Sequence, residues 1–271
     1  MTNPLSKGTA LVTGASRGIG AVYADRLARR GYDLILVARD RARLNALATR
    51  LAGETGRKVI PLVADLADKA DLARVEATLR DDPTITVLVN NAGVAAVTPL
   101  LKSDVSQMEQ MIEINITALT RLTYAAAPAF VARGSGTIVN IASVVGISPE
   151  TLNGVYGATK AYVIALSHSL QHELADKGIR IQAVLPGATA TEIWERAGLP
   201  YQNLPPSIVM RPEEMVDASL AGLDQGELVT IPGLQDAEEW DRFDAERRAL
   251  STRLGSSVPA RRYRVAATPL N

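Results

Sequence analysis

The sequence has no cysteine, only two histidines and few aromatic residues. Without cysteine the chain has no disulfides, no thiol catalysis and no thiolate metal sites. The histidines, His168 and His172, have the i,i+4 spacing of metal ligands on a helix, but no carboxylate motif of the His-Glu-x-x-His type accompanies them. We therefore predict no metal site.

The chain also has no excess of charge of one sign. Lysine and arginine total 29, as do aspartate and glutamate, so no net field draws the protein toward nucleic acid or anionic lipid. No apolar run approaches the roughly 20 residues of a membrane span. No apolar leader segment follows Met1. We expect a cytoplasmic protein that acts on a small molecule, with no nucleic acid and no membrane as partner.

What is present is a series of short apolar segments that alternate with longer helical patterns. This alternation predicts a parallel sheet covered by helices on both faces, and the continuous apolar character of the strands agrees with burial on both faces. We predict a doubly wound α/β fold with a parallel sheet of about seven strands, forming a single domain over residues 1–271. The predicted strands are 9–13, 33–37, 58–63, 86–89, 136–141, 179–185 and 227–231, and the predicted helices are 21–30, 41–53, 68–80, 104–131, 153–177, 212–223 and 236–254.

One long segment, residues 188–211, has no helical or strand period and contains three prolines. It follows the sixth predicted strand at the carboxyl edge of the sheet, where ligands bind in open α/β sheets, and it is longer than an ordinary connection. We predict that it is a substrate lid. Its aromatic residues, Trp194 and Tyr201, either line a substrate pocket or pack the segment onto the domain. Residues 255–271 are predicted to be a C-terminal tail, mobile or docked on a partner subunit.

A glycine-rich turn, Gly14-Ala-Ser-Arg-Gly-Ile-Gly20, joins the first predicted strand to the first helix. Glycines permit a tight turn and let backbone N–H groups approach a pyrophosphate at the helix N-terminus. The alternative is a tight turn without a ligand. Because the turn follows the first strand of a βαβ series, we interpret it as a nucleotide site.

The residues at the tip of the second strand indicate which nucleotide binds. An acidic residue about 20 positions after the turn binds the ribose 2′-hydroxyl of NAD, and Asp40 fits that count. The strand tip itself, however, is Ala38-Arg39, and Asp40 is better placed to cap the next helix. Arg39, together with Arg17 in the turn, can hold a 2′-phosphate. We therefore favour NADP(H) over NAD(H).

The pair Tyr156 and Lys160 lies four residues apart in a predicted helix, so both side chains project from one face. A phenol has a reference pKa of about 10, and a nearby cation lowers that pKa toward the operating pH. On its own the pair is also compatible with an ordinary amphipathic helix.

Together these segments resemble the short-chain dehydrogenase/reductase family, in its compact single-domain branch with a Rossmann-type fold. The resemblance covers roughly residues 7–232. The matching motifs are Thr13-Gly-Ala-Ser-Arg-Gly-Ile-Gly20, Asp65-Leu66, Asn90-Asn-Ala-Gly93, the set Asn115, Ser143, Tyr156 and Lys160, and Pro186-Gly187 with Thr191. The cofactor site that this resemblance implies comprises Gly14, Ser16, Arg17, Gly18, Ile19, Gly20, Arg39, Asp65, Leu66, Asn91, Ala92, Gly93, Tyr156, Lys160, Pro186, Gly187 and Thr191.

The resemblance implies an NADP(H)-dependent carbonyl reductase or alcohol dehydrogenase. In such an enzyme Tyr156 exchanges a proton with the carbonyl oxygen, and Lys160 lowers the pKa of Tyr156 and holds the nicotinamide ribose. Ser143 orients the carbonyl, and Asn115 holds a water that links Lys160 to solvent.

Other functions remain open at this stage. One is a nucleotide-binding regulator or sensor that retains the fold. Others are an NAD-dependent 3-oxoacyl reductase and an epimerase-like enzyme, although about 85 residues after Leu185 leave little room for an epimerase's substrate domain. The two long helices have apolar residues on more than one face, and relatives pair these helices across a two-fold axis. We therefore expect a homotetramer.

Overall fold

A computed structural model describes residues 6–265 of the chain. Its contacts divide the chain into two compact units, one running to Gly233 and the other beginning at Leu234. Residues 1–5, at which we noted no apolar leader segment, lie outside the described residues. So do residues 266–271 of the predicted C-terminal tail.

The first unit contains one sheet of seven parallel strands. This confirms the predicted α/β fold and strand number. The strands are β1 (Thr9–Thr13), β2 (Asp33–Ala38), β3 (Val59–Val63), β4 (Ile85–Asn90), β5 (Gly136–Ile141), β6 (Ile179–Val184) and β7 (Val229–Thr230). Their order in the sheet is β3-β2-β1-β4-β5-β6-β7, so the order reverses between β1 and β4.

Helices cover both faces of this sheet. The α-helices of the first unit are α1 (Gly18–Arg29), α2 (Arg41–Thr55), α3 (Lys69–Asp81), α4 (Val105–Ile112), α5 (Leu119–Arg133), α6 (Gly154–Leu174), α7 (Ile193–Arg196) and α8 (Pro212–Gln225). Short 3₁₀ turns lie at Leu100–Lys102, Val144–Gly146, Pro149–Thr151, Ala175–Lys177, Tyr201–Asn203 and Pro206–Ile208. The segment predicted to be irregular therefore contains one short helix and two 3₁₀ turns.

Alternate residues of each inner strand enter different cores. On β1, Ala10 and Val12 pack in a cluster with α1, α2 and α8, whereas Leu11 packs in a second cluster with α3, α5 and α6. Because both faces are covered, these strands are apolar without interruption. The edge strand β3 is only partly buried and tolerates Pro61, as edge strands do.

The predicted helix over 104–131 differs from prediction in its middle. A π-helical stretch, Glu113–Ala118, separates α4 from α5. The stretch contains Asn115, and π-helical insertions occur frequently at functional sites.

The second unit consists mainly of one helix, α9 (Ala237–Ser251), capped by the side chain of Asp236. It has no buried residue. Phe243 packs on Trp240 with ring centroids 5.3 Å apart. A 3₁₀ turn follows at Arg261–Tyr263.

Candidate active site

A cavity of about 990 Å³ lies at the carboxyl ends of the strands, where the strand order reverses. This is the position at which open α/β sheets bind their ligands. The predicted site residues that line it are Gly14, Ser16, Arg17, Gly18, Ile19, Arg39, Asp65, Leu66, Asn91, Ala92, Gly93, Ser143, Tyr156, Lys160, Pro186, Gly187, Thr191 and Trp194. Gly20, Asn115 and Tyr201 are not among its lining residues.

The glycine-rich turn has the backbone that its sequence predicts. Gly14 (φ +64°) and Gly18 (φ +52°) adopt left-handed conformations that favour glycine. Gly20 packs the first turn of α1 against the glycine-rich turn. A Cβ at Gly20 would collide with the carbonyl oxygen of Gly14 and lie 2.5 Å from Nδ2 of Asn91.

Side-chain hydrogen bonds join the tips of β1 and β4. Oγ1 of Thr13 accepts from the backbone N–H groups of Asn91 (3.0 Å) and Ala92 (2.9 Å). Nδ2 of Asn91 donates to the carbonyl oxygen of Thr13 at 2.8 Å. These bonds fix the glycine-rich turn relative to the Asn90–Gly93 segment across the floor of the cavity.

Asn115 lies behind the cavity and holds the loop after β4. Its Nδ2 donates to the carbonyl oxygen of Val94 (2.9 Å) and to Oγ1 of Thr159 (3.1 Å), and its Oδ1 accepts from the N–H of Val94 (2.9 Å). A Cβ on Gly93 would lie 3.2 Å from Oδ1 of Asn115 and 3.7 Å from Nζ of Lys160. Both side-chain amide hydrogens of Asn115 are engaged in these bonds. A water that links Asn115 to Lys160 would therefore have to donate to the remaining lone pair of Asn115 Oδ1 or to the backbone carbonyl oxygen of Asn115.

Tyr156 and Ser143 are buried side by side. Asn153 caps α6 by accepting from the N–H groups of Val155 (2.9 Å) and Tyr156 (3.2 Å), which sets the first turn of the helix. Burial raises the pKa of Tyr156 to about 12, and a hydrogen bond with Ser143 opposes that rise. The Ser143 hydroxyl also donates to the carbonyl oxygen of Pro186 at 3.2 Å.

We expected Lys160 to lower the pKa of Tyr156, but the net pKa is raised, because burial is the larger effect. The Nζ of Lys160 is 5.8 Å from the centre of the Tyr156 ring and donates to the carbonyl oxygen of Ile141 at 2.8 Å. Burial lowers the pKa of Lys160 itself to about 8. Desolvation therefore outweighs the attraction between cation and phenolate, and the phenol is protonated at neutral pH.

The other end of the cavity carries several arginines and carboxylates. Asp40 caps α2, as predicted, by accepting from the N–H of Arg43 at 3.1 Å. Arg17 approaches Asp40 to 3.4 Å, and Arg39 approaches Asp65 to 3.5 Å. Glu192, from the segment predicted to be a lid, hydrogen-bonds to Arg17 and to Arg43. The sequence prediction missed Arg43 and Glu192, although Arg43 lies in the first turn of a helix that begins at this edge.

The remaining wall of the cavity is largely apolar. Trp194 lines it, and its Nε1 donates to the carbonyl oxygen of Thr189 at 3.0 Å. Tyr201, which begins the 3₁₀ turn Tyr201–Asn203, does not line the cavity, whereas Leu204, directly after that turn, does. Apolar lining residues that the sequence prediction missed include Val94, Ala95, Val145, Leu152, Leu199, Leu204 and Ile208.

Residues 6–265 contain no group of three or more histidine, aspartate or glutamate side chains that could hold a metal ion. Within the same residues, no helix combines the length and the apolar character needed to cross a membrane.

Comparison with known proteins is consistent with this geometry. The profile of the short chain dehydrogenase family matches residues 8–201. A short-chain dehydrogenase from Sphingobium yanoikuyae, solved in complex with NADPH, is 52% identical; the match covers 93% of this chain and 98% of that one, with a TM-score of 0.91.

Two further relatives are similar over most of their length. The bulky-bulky ketone specific alcohol dehydrogenase from Comamonas testosteroni is 45% identical, with coverage of 96% of this chain and 99% of that one and a TM-score of 0.88. A protein of Haemophilus influenzae named "Probable NADP-dependent dehydrogenase" is 35% identical over 234 residues, which are 82% of this chain and 90% of its own.

Proposed function

The chain belongs to the short-chain dehydrogenase/reductase family of oxidoreductases, and we propose that it is an NADP(H)-dependent reductase of ketones with bulky apolar groups. The observation that carries this proposal is a single cavity that contains Ser143, Tyr156 and Lys160 together with the glycine-rich turn and its arginine. Asn115 supports the same site from behind, through the loop at Val94.

Each residue of this set has a separate task in the proposed reaction. When bound, a reduced nicotinamide dinucleotide supplies the hydride for the carbonyl carbon. Tyr156, which is protonated at neutral pH, donates its phenol proton to the carbonyl oxygen. The Ser143 hydroxyl would turn its proton from the Pro186 carbonyl oxygen to the substrate and hold the substrate's carbonyl oxygen beside the phenol. Lys160 holds the nicotinamide ribose and, as a cation, stabilises negative charge that develops on Tyr156.

The residues present fit a dinucleotide with a 2′-phosphate. The left-handed Gly14 and Gly18 leave the backbone of the turn open to a pyrophosphate. At the tip of β2, Ala38 provides no carboxylate for a ribose hydroxyl, and Arg39 and Arg17 provide donors for a phosphate. The NADPH bound to the Sphingobium relative supports the same choice.

The apolar wall indicates the substrate class. Trp194, Leu199, Leu204 and Ile208 all come from one segment, and together they form an apolar surface that large apolar substituents would fill. The substrate class named for the Comamonas relative supports a bulky ketone as substrate.

The decisive experiment compares Tyr156→Phe with the wild type in NADPH-dependent reduction of a panel of diaryl ketones, small ketones, aldehydes and 3-oxoacyl thioesters. Loss of a general acid should reduce turnover of the best ketone by roughly 10²–10⁴-fold, with NADPH affinity preserved. Tyr162→Phe is the matched control, because its hydroxyl contacts Thr120 at 2.9 Å and it does not line the cavity. Near-full turnover by Tyr156→Phe would refute the proposed role. NADPH binding by the wild type without reduction of any carbonyl would favour the sensor alternative.

A further inference from the structure

Glu192 connects the lid segment to the basic end of the cavity. It directly precedes α7, and its Oε1 accepts from Nη1 of Arg43 at 2.8 Å, while its Oε2 pairs with Nη1 of Arg17. Arg196 approaches the same carboxylate to 3.7 Å. Hydrogen bonds from Arg43 and then Arg17 hold the pKa of Glu192 below its ordinary value, so the carboxylate is ionised at neutral pH.

Arg17 and Arg43, the two main partners of Glu192, could equally donate hydrogen bonds to a phosphate monoester. Within residues 6–265, Arg17 and Arg43 have Asp40 and Glu192 as their carboxylate partners. Asp40 contacts them more distantly, at 3.4 and 3.5 Å, and is engaged in capping α2. Guanidinium groups bind carboxylates and phosphates with the same fork of donors. Glu192 and a ribose phosphate are therefore alternatives at this position.

We propose that Glu192 is a specificity-determining residue that competes with the 2′-phosphate of the nucleotide for Arg17 and Arg43. This inference rests on the proposed preference for NADP(H). A 2′-phosphate must displace the Glu192 carboxylate, whereas a nucleotide without that phosphate leaves it in place. An internal competitor lowers the apparent affinity in proportion to its occupancy of the site.

The surrounding contacts let this displacement occur locally. Two backbone hydrogen bonds join the ends of the lid segment. The N–H of Ala190 donates to the carbonyl oxygen of Met210 (2.9 Å), and the N–H of Met210 donates to the carbonyl oxygen of Ala188 (2.9 Å). Glu192 lies inside this closed loop. Its neighbour Thr191 contacts the turn closely, since a Cβ on Gly18 would lie 3.1 Å from its Cγ2. Loss of the arginine contacts would therefore loosen the lid where it meets the turn.

The test is calorimetric titration of adenosine 2′,5′-bisphosphate and of 5′-AMP into the wild type, Glu192→Gln and Glu195→Gln. Glu195 is the matched control, because it lies in the same short helix, is exposed and forms no ion pair within the described residues. Glu192→Gln should bind the bisphosphate roughly 5- to 50-fold more tightly than the wild type, the range of typical coupling free energies. Its affinity for 5′-AMP should change less than about twofold, and Glu195→Gln should match the wild type with both ligands.

The two proposals fail in different ways. If the wild type prefers the bisphosphate and Glu192→Gln binds it no more tightly, the role of Glu192 is refuted and the NADP(H) preference stands. If the wild type shows no preference and Glu192→Gln acquires one, competition by Glu192 stands and the cofactor preference is refuted. If neither protein prefers the bisphosphate, both proposals are refuted. Equal gains with 5′-AMP would show a general charge effect and would also refute competition.

Discussion

The fold disfavours the charged form of Lys160. Lys160 is buried, its ammonium donates to the carbonyl oxygen of Ile141, and burial lowers its pKa from 10.5 to about 8. A group whose pKa is lowered by folding binds fewer protons in the native state than in the unfolded state between those two values. The contribution of Lys160 to the free energy of unfolding is therefore fully present above pH 10.5. It is lost as pH falls and is absent below about pH 8.

Lys160→Met should remove this pH dependence while keeping an unbranched side chain of similar length. The free energy of unfolding of the wild type relative to Lys160→Met should rise by roughly 3 kcal/mol between about pH 8 and pH 10.5. Urea unfolding followed by circular dichroism measures the difference, and subtraction cancels the alkaline titration of other groups. The exposed Lys102 gives the control Lys102→Met. A difference that stays constant over this pH range would contradict the buried-cation assignment.

The cofactor preference depends on residues at the tip of β2. Ala38→Asp combined with Arg39→Ala should lower kcat/KM for NADPH by roughly 10–100-fold, because a phosphate donor is lost and a like charge is added. The same change should raise kcat/KM for NADH, because the ribose 2′-hydroxyl of NADH can then donate to the new carboxylate. Steady-state rates at sub-saturating cofactor measure both effects. Arg41→Ala, at an exposed arginine outside the cavity, is the control. Equal use of NADH and NADPH by the wild type would contradict the assignment.

At the scale of elements, residues 188–211 form a loop whose two ends are held together. A β-bridge pairs Thr189 with Met210, so the residues between them can move without displacing β6 or α8. Inside the loop, Glu192 hydrogen-bonds to Arg17 and Arg43, and Trp194 forms part of the apolar wall of the cavity. We propose that this loop is a lid that closes over cofactor and substrate and excludes water.

Ordering of this lid is open to direct measurement. Hydrogen exchange within residues 191–209 should slow when NADP⁺ and substrate bind together, because closure protects backbone amides that are otherwise exposed. The strands β1 and β4 serve as internal controls, since their amides are paired within the sheet and should not respond. Identical exchange with and without ligands would mean that the segment is a fixed wall.

Local sequence signals predicted most of the elements. Continuous apolar runs marked the buried strands, Asp40 marked the start of α2, and the spacing of Gly14 to Gly20 marked the turn. Each of these depends on residues near one another in the chain. The cavity therefore contains most of the residues that motif matching predicted.

Features that depend on distant residues could not be predicted in this way. The π-helical stretch around Asn115 accompanies hydrogen bonds to Val94, and the Glu192–Arg43 pair joins residues 149 apart in sequence. The pKa of Tyr156 was mispredicted for a related reason. Spacing alone places Lys160 near the phenol, but the depth of burial, which a single sequence does not specify, decides which effect is larger.

At the scale of the whole molecule, apolar side chains are exposed along α4, α5 and the turn before them. Leu101 is 95% exposed, Val105 71% and Tyr124 68%. Isolated exposed apolar residues are common in soluble proteins, but several along adjacent helices are typical of an interaction surface. These residues lie on or beside the first of the two long helices, 104–131 and 153–177, that we expected to pair across a two-fold axis, and such a contact would cover them.

We therefore predict that the protein is a homo-oligomer, with a tetramer as the expected form, and that this helical face carries the contact. Light scattering coupled to size-exclusion chromatography at micromolar concentration should give close to four times the mass of one chain. Tyr124→Glu should reduce that mass, because a charge buried without a partner at an interface opposes association. Ile60→Glu, on the edge strand β3, introduces the same side chain at a partly exposed site on another element and should leave the mass unchanged. A monomeric wild type would refute the prediction, and dissociation by Ile60→Glu alone would place the contact at the sheet edge instead of the helices.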